Sequence, residues 1–191
     1  MSAEPVYEFD EPGWPDESER YAACEARLGL ILPTDSERLA DLARPAREGD
    51  LPLLASISLA ALSDPLDQVA YLQAVDRVAG LVAAMRSDAV VAFAGAVPAG
   101  AYLPELHKEQ ELSVATRVST YSAGRQIETA RALETTFPSF KVALRAGEIS
   151  QGHCTVLVDR TRPVMDADAL ASIERVALPK AKRMTAGEFA R

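Results

Sequence analysis

Apolar residues recur along this chain at steps of three and four, and strict apolar–polar alternation is rare. That is the period of a helix, not of a half-buried strand. The clearest such pattern begins at Ser63 or Asp64, either of which can cap a helix, with Pro65 suited to the first turn. The spacing predicts a helix of about 30 residues reaching Ala94, roughly 45 Å long. Tyr71, Val75, Val78, Val82, Met85, Ala89 and Phe93 form its apolar stripe, with the alternating steps of a heptad seam. Asp67, Gln73, Asp76, Arg77, Ser87 and Asp88 lie largely opposite. At ~25 cal/mol per Å2 of apolar surface, the stripe is too large to stand in water. It reads as the spine of the core, or as a seam that pairs with a second copy.

Shorter elements flank this helix. Residues 1–16 are acidic and proline-rich and predict a disordered arm. Tyr21, Cys24, Leu28 and Ile31 share a helical face over Glu17–Leu32, stopped by Pro33. Asp35 or Ser36 caps a short helix containing Leu39, Leu42 and Ala43, and Leu51–Leu62 reads as a buried segment. Val97–Pro104, with two prolines and Gly100, is a loop. After it come helices over Glu109–Val118, with Leu112, Ala115 and Val118 inward, and Ala123–Thr135, with Ala123, Ile127, Ala130 and Leu133 inward and Ser122 as cap. Arg125, Thr129 and Ala132 face away from that core side. Phe140–Ala146 is a short helix ended by Gly147, a natural left-handed cap. Ser150 caps a helix through Arg160, and Asp166 caps Ala167–Leu178. Thr185-x-x-Glu188 is a capping box that announces a further helix. Only a few residues follow it, which predicts that more chain belongs after Arg191. The expected fold is all-α: a multi-helix bundle with one long central helix and a helix–turn–helix-like pair. Residues 17–184 form the helical domain.

Charge qualifies this picture. The 191 residues carry a net charge of −8, which argues against a generic nucleic-acid binder. The first 50 residues account for that excess, whereas residues 101–150 are balanced and 151–191 are slightly basic. Cys24 and Cys154 are distant in sequence and form no Cys-x-x-Cys, as expected of free thiols in a reducing compartment. The first residues have neither the basic nor the apolar region of a secretory signal, and the apolar runs are too short to span a bilayer. A cytoplasmic location and no membrane partner are the expectation.

Little catalytic chemistry is visible. The chain has two histidines, His107 and His153, and the His153-Cys154 neighbours cannot both turn to one metal from adjacent helical positions. Zinc spacings, glycine-rich phosphate loops and nucleophile elbows are missing. No cofactor and no small-molecule substrate is evident. The turn near Val118–Ser122 gives the two helices around it a helix–turn–helix look, although the spacing is a residue or two longer than usual. In that reading Arg125 and Arg131, with Arg117, Lys141 and Arg145, are candidates for DNA contact, and the Lys180, Lys182, Arg183 cluster could neutralise further phosphates. The alternative for the pair is plain bundle scaffolding.

Three segments together carry a family likeness. They are Leu133…Phe137-Pro138…Leu144-Arg145-Ala146-Gly147-Glu148-Ile149-Ser150-Gln151-Gly152-His153, then Thr161-Arg162-Pro163, then Leu178-Pro179-Lys180-Ala181…Met184-Thr185-Ala186-Gly187-Glu188-Phe189. From about residue 56 onward the chain resembles the helical domain of unknown function 222 of high-GC Gram-positive bacteria and their phages. In that family the domain usually precedes a small HNH nuclease domain, in proteins called HNH endonucleases or repeat-family proteins. The resemblance implies a non-catalytic portion of such an enzyme. Its divalent metal would belong to a nuclease domain that residues 1–191 do not supply. Gly147, Ile149, Ser150 and His153 match the family motif and look like a cap–turn–cap joint between two helices. The expected role is to position or target DNA for the nuclease. The alternative is a protein-interaction or homodimerisation module acting through the long helix.

Overall fold

A computed structural model describes residues 33–97 and 106–191, the Leu106 side chain excepted. The expected acidic arm, the helix over Glu17–Leu32 and most of the proline-containing loop lie outside the described residues. Among those described there are helices and no strands: α1 (Asp35–Asp41), α2 (Asp50–Ser56), α3 (Pro65–Ala94), α4 (Leu106–Thr116), α5 (Thr120–Thr135), α6 (Pro138–Arg145), α7 (Gln151–Thr161), α8 (Ala167–Ala181) and α9 (Ala186–Phe189). Asp35–Arg191 is one compact unit. The all-α bundle with a long central helix is as expected.

The long helix starts as its residues dictate. Asp64 Oδ1 accepts a hydrogen bond from the Leu66 N–H at 2.8 Å, and Pro65 occupies the first turn, where its missing N–H costs nothing. Its end is closed from outside. The Arg131 Nε donates to the Gly95 carbonyl at 2.9 Å, Arg131 Nη2 donates to that of Ala94, and Lys108 Nζ reaches the same Ala94 oxygen at 2.9 Å. Two cations therefore sit where the last carbonyls of α3 have no helical partner.

Along α3 the buried face turns. In the first half, Ala74 and Val78 pack against α1 and α2 through Leu39, Leu42, Leu54, Ile57 and Leu62. In the second half, Ala84 joins the main core around Leu133, Phe137, Phe140 and Leu144, and Val90 and Ala94 meet Ile127 and Ala130 of α5. Gly80 marks the closest crossing: a Cβ there would stand 2.7 Å from the Leu144 carbonyl. Only a residue without a side chain permits that approach of α3 to the end of α6.

Several sequence expectations are corrected. Of the stripe assigned to the core, only Val78 is fully buried, and Val75, Val82, Met85 and Phe93 are exposed. Leu51 and Leu59 are exposed in the segment expected to be buried, which leaves Leu54, Ile57 and Leu62 inside. Ala115 is exposed because α4 packs against the bundle on one side only. Ser119, not Ser122, caps α5, accepting from the Ser122 N–H at 3.1 Å. Thr129 is buried, not outward. Helix α8 continues through Pro179 to Ala181. A proline in the last turn forfeits one N–H bond, yet the carbonyls on either side still close onto Lys182.

Buried Glu174 of α8 supplies what the start of α6 lacks. Its Oε1 accepts from the N–H groups of Ser139 at 2.7 Å and Phe140 at 3.2 Å. The residue in the N-cap position of α6, Phe137, has no side chain able to do this. A carboxylate at a helix N-terminus satisfies open donors and suits the helix dipole.

Candidate functional surface

The Gly147–His153 motif builds a joint. Gly147 has φ +72°, and a Cβ on it would come within 2.4 Å of Arg77 Cα in α3. Ile149 is buried in the main core. Ser150 caps α7, and the His153 ring replaces the glutamate of the usual capping box: Nδ1 accepts from the Ser150 N–H at 3.1 Å. That acceptor role leaves the ring hydrogen on Nε2, which donates to the Met184 carbonyl at 2.9 Å. The ring also packs against Phe189, centroids 5.8 Å apart. The Ala146 carbonyl accepts from the Ala46 N–H at 3.2 Å. The α1–α2 connection, α3, α6, α7 and the start of α9 thus converge here. These residues join neighbouring helices and also anchor the last one.

The candidate cations do not form one face. Arg125 is ion-paired with Asp159 of α7. Arg131 is buried and committed to the end of α3. Lys141 lies between Asp88, at 2.6 Å, and Glu134, and Arg145 joins the same Asp88. Burial pushes the Asp88 carboxyl up, but Lys141 and Arg145 outweigh it and hold the group below the usual carboxylate range. Burial likewise lowers the Lys141 ammonium, and Asp88 and Glu134 more than restore it, to above its ordinary value. Lys182 pairs with Glu148 at 2.6 Å. Arg117, exposed in the α4–α5 turn with φ +56°, and Lys180 and Arg183, exposed at the end of α8, have no ion pair among the described residues.

A cavity of about 620 Å3 opens between α5, α7 and the start of α8. It is lined by Val158, Val164 and Leu170 and by Arg125, Arg131 and Arg162. Arg162 is ion-paired with Glu128, so each of these cations is engaged within the fold. The Cys154 thiol lies in the core and burial pushes it up to about 12, which makes it inert as a nucleophile. Among the described residues no group of three His, Cys, Asp or Glu could hold a metal, and no helix is long and apolar enough to cross a membrane.

An exposed, mostly apolar seam runs along α3. Leu72, Val75, Ala79, Val82, Arg86, Ala89 and Phe93 are all exposed, and their steps are 3, 4, 3, 4, 3 and 4. Leu72 keeps 63% of its surface, Val82 51% and Phe93 44%. The stripe read from sequence is this seam displaced by one residue at alternate positions. Apolarity alone could not separate the two, because α3 carries apolar residues on nearly every side.

The described residues thus form a helical bundle built around an internal joint. Residues 101–191 match the family model Domain of unknown function (DUF222). The match covers the candidate cations and the joint, and it supports the family likeness that the motif carries. No curated protein and no solved structure matches the chain.

Proposed function

We propose that this chain is a non-catalytic interaction module of an HNH-type endonuclease and that it works through the exposed seam of α3. The observation that carries the reading is the run of exposed apolar residues from Leu72 to Phe93 on the longest helix. Contiguous apolar surface of this kind marks a docking site more often than it stands free. The link to a nuclease rests on the family match and on the association that the resemblance implies. The metal and the catalytic histidines of such an enzyme would belong to a separate domain. The seam must be open in the isolated chain for the proposal to hold. Val82→Cys in a Cys24→Ser background, diluted to where self-association is negligible, is expected to react with a maleimide at nearly the rate of a free thiol. Protection at that dilution would mean that the chain covers its own seam, and the reading fails.

A second reading is DNA positioning. It is supported by Arg117, Lys180 and Arg183, which have no ion pair among the described residues, and by the slightly basic balance of residues 151–191. The other candidates are engaged within the fold, so contact would run through the α4–α5 turn and the end of α8. A gel shift at low salt tests it, with and without the acidic first 50 residues. Binding that weakens in an Arg117→Ala, Lys180→Ala, Arg183→Ala chain is the expected result. Absence of binding by both forms removes the reading.

A further inference from the structure

We infer that the occupant of the α3 seam is a second copy of this chain, laid antiparallel about a twofold axis between Gly80 and Leu81. The inference rests on the interaction-module reading and names its partner. In that register Leu72 faces Ala89, Ala79 faces Val82, and Val75 faces Arg86. A wide side chain meets a small one in the first two pairs, as close helix packing requires. The third pair is where charge decides. Arg86 is the one polar residue of the seam, and it donates to the neutral Gln126 Oε1 at 2.7 Å. It has no carboxylate partner among the described residues, and neither does Asp76 have a cationic one. The antiparallel register sets each Arg86 beside Asp76 of the other copy, twice by symmetry. A parallel pairing would stack the two Arg86 side chains on each other. An antiparallel register one heptad along would place Ala79 on Ala89 and carry Arg86 away from Asp76. A lone polar residue in an apolar seam fixes register and orientation at some cost in affinity. One isologous helix pair, about 26 Å from Leu72 to Ala89, is smaller than a standard interface of about 1,600 Å2. The dimer is therefore weak, with a dissociation constant on the order of micromolar.

Sedimentation equilibrium of the full chain across a concentration series tests this, with charge swaps as the discriminating variants. Arg86→Asp and Asp76→Arg are each expected to weaken the dimer about tenfold or more, since each sets like charges together. The double swap restores it. Both sites are exposed, so circular dichroism should show the variants as folded as the parent. For orientation, Leu72→Cys and Ala89→Cys chains, both in a Cys24→Ser background, are mixed and oxidised. A disulfide between unlike chains is expected, because the two Leu72 positions of the dimer lie roughly 25 Å apart. A chain that stays monomeric at its solubility limit, a dimer indifferent to the swaps, or disulfides only between like chains would each overturn the inference. If the Val82→Cys thiol is open at high dilution and no dimer forms, a different protein occupies the seam, and the interaction-module reading survives without this partner.

Discussion

The Nε2 of His153 lies 2.9 Å from the carbonyl oxygen of Met184, thirty-one residues along the chain. With Nδ1 engaged by the Ser150 N–H, one imidazole joins the start of α7 to the turn before α9. In this chain the imidazole of His153 is therefore a buried, two-ended clamp.

Replacing that clamp should loosen the end of the chain first. His153→Ala removes the ring's hydrogen bonds to Ser150 and to Met184 and the ring contact with Phe189. The expected loss is about 2–4 kcal/mol. Hydrogen exchange should accelerate most at the amides of Phe189 and Ala190, which close the short α9. His153→Phe keeps the ring and loses the bonds, so an intermediate loss is expected. Unchanged exchange in α9 would show that the clamp does not hold it.

The glycine of the same joint offers a sharper test. Gly147→Ala must accept φ +72° and a Cβ within 2.4 Å of the Arg77 backbone. Strain and overpacking together should cost about 3 kcal/mol or more, read as a fall in Tm. Gly49→Ala is the control. That residue has a negative φ and open space around it, so a change within about 0.5 kcal/mol is expected. Equal effects at the two sites would refute the close-contact account.

These two glycines show where sequence reading worked and where it stopped. Local signals were legible: Asp64 with Pro65, Gly147, Ser150, Asp166 and the Thr185–Glu188 box each mark a helix end through chemistry confined to a few residues. Long-range partners were not. Nothing near Glu174 says that it caps α6, and nothing near Arg131 says that it closes α3, since each contact spans more than thirty residues. The buried face of α3 is hidden from local sequence for a related reason. Its burial is set by neighbours that change from α1 and α2 to α5 and α6 along its length, so no single stripe describes it. The candidate cations face carboxylates from other elements, Asp88, Asp159 and Glu148, which local sequence does not bring beside them.

The Cys154 thiol gives a readout of core integrity. Burial raises it to about 12, so near pH 8 the thiolate is scarce and also inaccessible. In a Cys24→Ser chain, titration with a chromogenic disulfide at pH 8 should find no reactive thiol in the folded protein and one after denaturation. Prompt reaction of the native chain would show that the core around Leu157 and Phe140 opens readily.

The Asp88–Lys141 pair ties α3 to α6, and its two ends predict opposite pH limits. Asp88 titrates below its ordinary value in the folded chain, so its contribution is present above the unfolded carboxylate value near 3.8 and is lost as pH falls through the folded one. Lys141 titrates above its ordinary 10.5, so its contribution is complete below that value and is lost as pH rises through the folded one. Both groups keep contact with solvent, and screening limits the pair to about 1 kcal/mol or less. Asp88→Asn should therefore lower Tm modestly at pH 7, and the deficit should shrink as pH falls below the unfolded value near 3.8. Added salt should narrow the gap at pH 7. A larger deficit in acid than at neutrality would show that the Asp88 side chain acts through packing and not through its charge.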